Sequence, residues 1–392
     1  MTEIKTLDKE YVANTYNRFP VEIVSGKGSY VYDENGKEYI DMGSGIGVTS
    51  FGISDDVWQE AIKEQLSKVQ HMSNLYYTQP CVKLAQLLCE KTGFKKVFFG
   101  NSGAEANECA IKVARKYAQE KKGDDYYTII TLKNSFHGRT ITTLSATGQD
   151  HFHKLFNPLT DGFIHTEAGN IEMLKELVAT NKVAGIMLEC VQGEGGVIPL
   201  DADYVKEVAK IAEENDIILI IDEVQTGNGR TGYYYAYQAF GIEPDIVSTA
   251  KGLGGGLPIG AVMFGEKTEN TLVPGDHGST FGMNPVCCAG ACAVLQKLDE
   301  ALLADVKKKS AVIFEKAAKF ENVASVTGMG LMIGIELKSG TSKAVAVKCL
   351  EKGLIVLTAH EKVRLLPPLN ITEEQLEKGL AILEEAIKEV AE

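Results

Sequence analysis

The chain has 392 residues, more than one hydrophobic core usually serves, so one large domain and a smaller one are expected. Apolar content of 44% and charged content of 24% are those of an ordinary globular chain, and a net charge of −13 argues against broad contact with nucleic acid or an anionic membrane, though not against a local positive pocket. No apolar run approaches the roughly 18 residues of a membrane span, and MTEIKTLDKEYV at the start lacks the pattern of a signal peptide. The eight cysteines form no C-x-x-C pair and sit mostly among apolar neighbours, which points to buried free thiols in a cytoplasmic protein and to no metal site.

In chain order, GKGSYVYDENGKEYIDMGSG alternates apolar and polar residues about Asn35-Gly36 and predicts a β-hairpin. Gly26-Lys27 lacks the rest of a phosphate-loop pattern. From about residue 55, DDVWQEAIKEQLSKV, PCVKLAQLLCEKTG, AEANECAIKVARKYAQE and DYVKEVAKIAEEND carry helical spacing. KKVFFG, YYTIITLKN, VAGIMLECVQ, DIILIIDEV and DIVSTAK are short strand-like runs between them. Strands alternating with helices imply an α/β fold with a largely parallel sheet covered on both faces. After about residue 285 a long helical stretch, strand-like GMGLMIGIEL and GLIVLTA, and a final helix suggest a second unit. The expected division is a large domain over 51–284 and a small one over 285–392, joined by the N-terminal segment 1–50.

In such sheets ligands bind beyond the carboxyl ends of the strands, and four loops lie there. FFGNSGAEANE places Ser102, Gly103 and Ala104 at a helix start whose N–H groups suit a phosphate; Ser102 and Glu105 equally make a capping box that needs no ligand. NSFHGRT brings Phe136, His137 and Arg139 together as a ring face and a carboxylate fork, or as core, polar and surface residues without a ligand. DIILIIDEVQTGNGRTG ends a strand on Asp222, and its Gly227-x-Gly229-x-x-Gly232 formally matches a dinucleotide fingerprint, although Asp222-Glu223-Val224-Gln225-Thr226 separates those glycines from the strand.

The fourth loop follows DIVSTAKGLGGGLPIGAVMFGE, where Lys251 is the only charged residue between Asp245 and Glu266. In apolar surroundings its pKa falls and the neutral amine becomes a nucleophile or base; the plain alternative is a lysine whose head reaches water. A reactive lysine, a phosphate-ready helix start, a strand-end aspartate and an aromatic ring near an arginine together match what pyridoxal phosphate chemistry requires.

FFGNSGAEANE, SFHGRT, TLSATGQ, VQGEGGVIP, IDEVQTGNGRTG, AKGLGGGLPIGA, HGSTFG and RLLPPL, in this order, resemble the class III pyridoxal-phosphate-dependent aminotransferases over essentially the whole chain. The resemblance implies a fold type I enzyme with pyridoxal 5'-phosphate on Lys251 and Asp222 at the pyridine nitrogen. It further implies Val224 and Phe136 on the two ring faces, Gln225 at the phenolic oxygen, and Ser102, Gly103 and Ala104 at the phosphate. Thr280 would add a phosphate contact from the neighbouring subunit of a homodimer. Arg139, assisted by Ser279, would grip the substrate α-carboxylate. Arg364 would take that of 2-oxoglutarate, and Glu194 would mask Arg364 while the amino donor is bound.

Within the family the pattern is most similar to members acting on N2-acetyl-L-ornithine in arginine biosynthesis, which implies transfer of its δ-amino group to 2-oxoglutarate, giving glutamate, by a ping-pong route. Ile46, where ornithine-specific relatives carry an aromatic residue, favours that donor. Ornithine, succinylornithine, succinyldiaminopimelate and 4-aminobutyrate are the alternatives, with a nicotinamide-dependent oxidoreductase the remote one. Cys190 and Met283 depart from the family's usual proline and glycine, and Met283 is expected to narrow or reshape the interface side of the pocket.

Overall fold

A computed structural model describes residues 3–391. Its centre is a seven-stranded sheet formed, in chain order, by β1 (Lys96–Gly100), β2 (Thr128–Leu132), β3 (Phe163–Thr166), β4 (Val183–Leu188), β5 (Ile218–Asp222), β6 (Ile246–Thr249) and β7 (Gly260–Phe264). The spatial order is β1-β7-β6-β5-β4-β2-β3. β7 runs antiparallel to both β6 and β1, and the other pairings are parallel. Every residue of β4 and β5 is buried, which is why these strands read as unbroken apolar runs rather than alternating ones. Helices such as Gly103–Lys122 and Ala202–Glu214 supply the covering layers, each with a buried face at helical spacing.

The hairpin is present as Tyr30–Asp33 and Glu38–Asp41, turning at Gly36 with φ +77°. Its second strand pairs in parallel with Leu354–Ile355, so chain from both ends shares one sheet. A second four-stranded sheet joins Val323–Met329, Met332–Leu337, Lys362–Leu365 and Leu357–Ala359, in that order.

Two expectations need correction, and one strand was not foreseen. The single helical stretch after residue 285 is two helices, Pro285–Lys297 and Glu300–Ala317, because the Asp299 side chain accepts from Leu302 N and caps the second. GAVMF, left unassigned in the sequence reading, is the antiparallel strand β7. GLIVLTA is two short strands in different sheets. All eight cysteines are free and seven are buried. Among the described residues no helix is long and apolar enough to cross a membrane.

Candidate active site

The carboxyl ends of β1, β2, β4, β5 and β6 lead into the segments that border one cavity of about 480 Å³. Ser102, Gly103, Ala104, Phe136, Arg139, Asp222, Val224, Gln225 and Lys251, all singled out in the sequence, lie along its wall. Glu194 and Arg364 meet one another and touch Gln225 at its edge. Ser279 and Thr280 do not border the cavity within one chain: Ser279 Oγ accepts from Asn101 Nδ2 (3.0 Å), and Thr280 is exposed. Met283 also stays off the wall formed by one chain, and its carbonyl accepts from the Cys81 thiol.

Lys251 starts a single tight turn just after β6 and holds a left-handed φ of 41°. No hydrogen bond to its Nζ is formed among the described residues. Burial pushes its pKa down; Glu194, Asp222 and Glu189 oppose that shift, while Arg364 adds to it.

Asp222 closes β5 and is almost fully buried. Its Oδ2 accepts from Asn107 Nδ2 (2.7 Å) and His137 Nδ1 (2.8 Å), and Oδ1 accepts from Val224 N (3.0 Å). A carboxylate offers about four acceptor positions, so one remains for a ligand N–H. Asn107 is itself oriented, because its Oδ1 accepts from Ser248 Oγ (2.6 Å) and its Nδ2 also reaches the His137 carbonyl (2.7 Å).

At the helix start Ser102 is the cap, with Glu105 N donating to its Oγ (3.2 Å), but the Glu105 carboxylate reaches one residue past the cap and accepts from Asn101 N (2.7 Å), so only half of the capping box forms. The cap leaves the first N–H groups, those of Gly103 and Ala104, without partners inside the helix. Gly103 is required here, since a Cβ would stand 2.7 Å from Val224 Cγ1. The Arg139 guanidinium lies over the rings of Phe152 (4.2 Å) and Phe136 (5.6 Å) and remains exposed.

Arg364 NH1 donates to Glu194 Oε1 at 2.6 Å and to Gln225 Oε1 at 3.2 Å, while Gln225 Nε2 donates to Glu194 Oε1 at 3.2 Å. Burial works to raise the Glu194 carboxyl, but Arg364, Lys251 and the Gln225 amide together hold it below its ordinary range. Arg364 and Glu194 are thus held as an ion pair.

Three site residues escaped the sequence reading: Asn107, the role of His137, and Glu189. Asn107 carries a signal, standing four residues after Gly103 on the buried helix face. Glu189 directly follows the all-apolar β4, lines the cavity, and is pushed up to about 7 by burial and by Asp222, against His137 and two backbone N–H groups.

These groups fit pyridoxal 5'-phosphate. Free N–H groups at a helix start suit a phosphate, a buried carboxylate with one spare acceptor suits a pyridinium, and a desolvated lysine suits an aldehyde. The dinucleotide alternative fails, because Gly227–Gly232 is a run of turns that opens no helix, and a Cβ at Gly229 would stand 2.8 Å from Leu298 Cδ2.

The class-III aminotransferase profile matches residues 11–387. The chain is 51% identical to the acetylornithine aminotransferase of Haemophilus ducreyi over 99% of both chains, and 46% identical to that of Caldanaerobacter subterraneus over 98% of this chain and 99% of the other. Among solved structures it resembles the ornithine aminotransferase of Toxoplasma gondii (TM-score 0.95, 31% identity, covering 99% of this chain and 95% of that one). It also resembles the N-acetylornithine aminotransferase of Stenotrophomonas maltophilia (TM-score 0.85, 34% identity, covering 98% of each). With Lys251 and Asp222 in one cavity and the Glu194–Arg364 pair at its edge, the chain belongs to the class-III aminotransferases.

Proposed function

We propose that this enzyme moves the δ-amino group of N2-acetyl-L-ornithine to 2-oxoglutarate, with pyridoxal 5'-phosphate as cofactor, as a cytoplasmic homodimer. The single observation that carries the reaction type is the meeting of Lys251 and Asp222 in one cavity beside the closed Glu194–Arg364 pair. Backbone likeness does not separate donors, since an ornithine and an N-acetylornithine enzyme both superpose well. Sequence identity favours the acetylated donor. Ile46 does not border the cavity within one chain, although Val48 does.

The cofactor, when bound, supplies a sink for the electrons left as a proton departs from the carbon bearing the substrate nitrogen. Lys251 would hold its aldehyde and, once displaced, carry that proton. Asp222, steadied by Asn107 and His137, would keep the ring nitrogen protonated. Gly103 and Ala104 would hold the phosphate, with Ser102 beside them as the cap. Phe136 and Val224 would enclose the ring, and Gln225, hydrogen-bonded to Glu194 and Arg364, would reach the phenolic oxygen. Arg139 would orient the substrate through its α-carboxylate.

Glu194 solves a charge conflict. The donor presents a distal amine, and an open Arg364 would attract its carboxylate and turn the molecule round. The pair therefore stays closed for the donor and opens for the dicarboxylate acceptor.

The second copy is supported by an exposed apolar face: Met72, Leu75, Tyr76 and Tyr77 lie beside the loop of Thr280 and Phe281, tied to it by Asn74 Nδ2 donating to Ser279 O (2.9 Å). On this reading Thr280, with Ser279 next to it, would reach the neighbouring subunit's site.

The test is a spectrum of the purified enzyme, then steady-state kinetics with N2-acetylornithine, ornithine, succinylornithine, succinyldiaminopimelate and 4-aminobutyrate. A bound-cofactor band and the highest kcat/KM for N2-acetylornithine are expected, with no turnover in Lys251→Ala. Full activity in that variant sinks the reaction type, and the lowest kcat/KM for N2-acetylornithine sinks the donor.

A further inference from the structure

Glu189 is 6% exposed and follows a strand buried at every position. Its carboxylate is satisfied by two backbone N–H groups from different loops: Phe136 N donates to Oε2 (3.1 Å) and Gly193 N donates to Oε1 (3.3 Å). One loop carries the ring cover and Arg139. The other leads directly into Glu194, the mask on Arg364.

The peptide before the mask is held on every side. The Gly193 carbonyl accepts from Val197 N (3.2 Å), and a Cβ on Gly193 would meet the Gln225 amide at 2.7 Å. The two loops are also joined where Gln192 Nε2 donates to Lys133 O (2.8 Å), and a Cβ on Gly195 would stand 2.5 Å from Asn134 O. With Gly193 pinned through both its N–H and its C=O, the Glu194 backbone has little freedom, and the opening motion falls to the Glu194 side chain.

We propose that Glu189 is a positioning residue that fastens the Phe136–Arg139 loop and the Gly193–Glu194 loop to one carboxylate, so that the mask opens by side-chain rotation against a fixed backbone. This rests on the aminotransferase reading above. A motion confined to one side chain leaves the donor-gripping loop undisturbed while the acceptor is admitted, as alternating substrates in one pocket require.

Glu189→Gln keeps the size but leaves one acceptor oxygen for two N–H groups, so one loop is released. Loss of a charge-assisted hydrogen bond corresponds to about a tenfold change. The expected result is a split: KM for the amino donor rises several-fold, and KM for 2-oxoglutarate falls, because the mask closes less firmly. In a Glu194→Gln background, where the mask is already weakened, Glu189→Gln gives no further fall in acceptor KM. Parallel changes in both KM values, unchanged KM values, or a full additive fall in the double variant each overturn the proposal. If Glu189→Gln does not fold, Glu189→Asp, shorter by one methylene but still charged, carries the same measurements with the same criteria. A wild-type enzyme inactive with every ω-amino donor overturns the aminotransferase reading and this proposal with it. An active wild type that fails the split overturns the role of Glu189 alone.

Discussion

Replacing Glu194 by glutamine preserves its shape and removes its charge, which isolates the electrostatic part of the mask. In the closed state Arg364 NH1 lies 2.6 Å from Glu194 Oε1; the arginine side chain is 4% exposed and the glutamate 28%. Two unit charges about 4 Å apart interact by about 4 kcal/mol at the effective dielectric of a protein surface. The partial exposure of Glu194, the surviving amide oxygen and the Gln225 Oε1 contact at 3.2 Å reduce the net loss to about 1.5–3 kcal/mol. The 2-oxoglutarate complex, with the mask open, never had that interaction, so its apparent affinity should rise about tenfold or more. The donor half-reaction should lose a similar factor in kcat/KM, because Arg364 then competes with Arg139 for the donor carboxylate. Single-turnover measurements of the two half-reactions, each followed by the absorbance of the bound cofactor, separate these effects. Weaker binding of 2-oxoglutarate, or equal losses in both half-reactions, would refute the masking argument.

Gly103→Ala forces a Cβ to within 2.7 Å of Val224 Cγ1 and 3.0 Å of Cγ2, so the helix start or the ring floor must move. A cost of about 1–3 kcal/mol lowers cofactor affinity about 5- to 150-fold in a titration of apoenzyme, and unchanged affinity would remove the helix start from the site. Glu223 is buried behind Asp222, with Thr226 Oγ1 donating to Oε2 (2.5 Å) and Tyr237 N donating to Oε1 (2.8 Å), and burial pushes its pKa from 4.5 to about 7. The folded value lies above the unfolded one, so this stabilisation is complete below about pH 4.5 and is lost as pH rises through about 7, roughly 3 kcal/mol in all. Urea denaturation between pH 5 and 8 should show that loss in the wild type and a shallower one in Glu223→Gln; identical slopes would refute it.

Much of the fold was legible because its signals are local. The apolar runs of β2, β4, β5 and β6 and the Asn35-Gly36 turn each depend on a few adjacent residues. Strand β7 was missed because the glycines before it read as loop, and its place is set by β1 and β6 on either side rather than by its own residues. The break at Asp299 was missed because apolar and basic residues continue the helical spacing through it, and only the cap shows the stop.

The site divides in the same way. Lys251 was visible as a lone charge just after a buried strand, Asp222 as the acid that ends one, and Ser102 to Ala104 as a helix start, since each departs from the apolar run before it. The resemblance paired Glu194 with Arg364 across 170 residues. Neither local pattern nor motif joined Asp222 to Asn107 and His137, or gave Glu189 its two loops, because those partners are 115, 85, 53 and 4 residues away along the chain. A sequence by itself determines which side chains are chemically able and where strands and helices begin. Which buried carboxylate receives which donor is decided only when the strands align, because hydrogen bonds act over about 3 Å and that proximity arises only from the packed sheet.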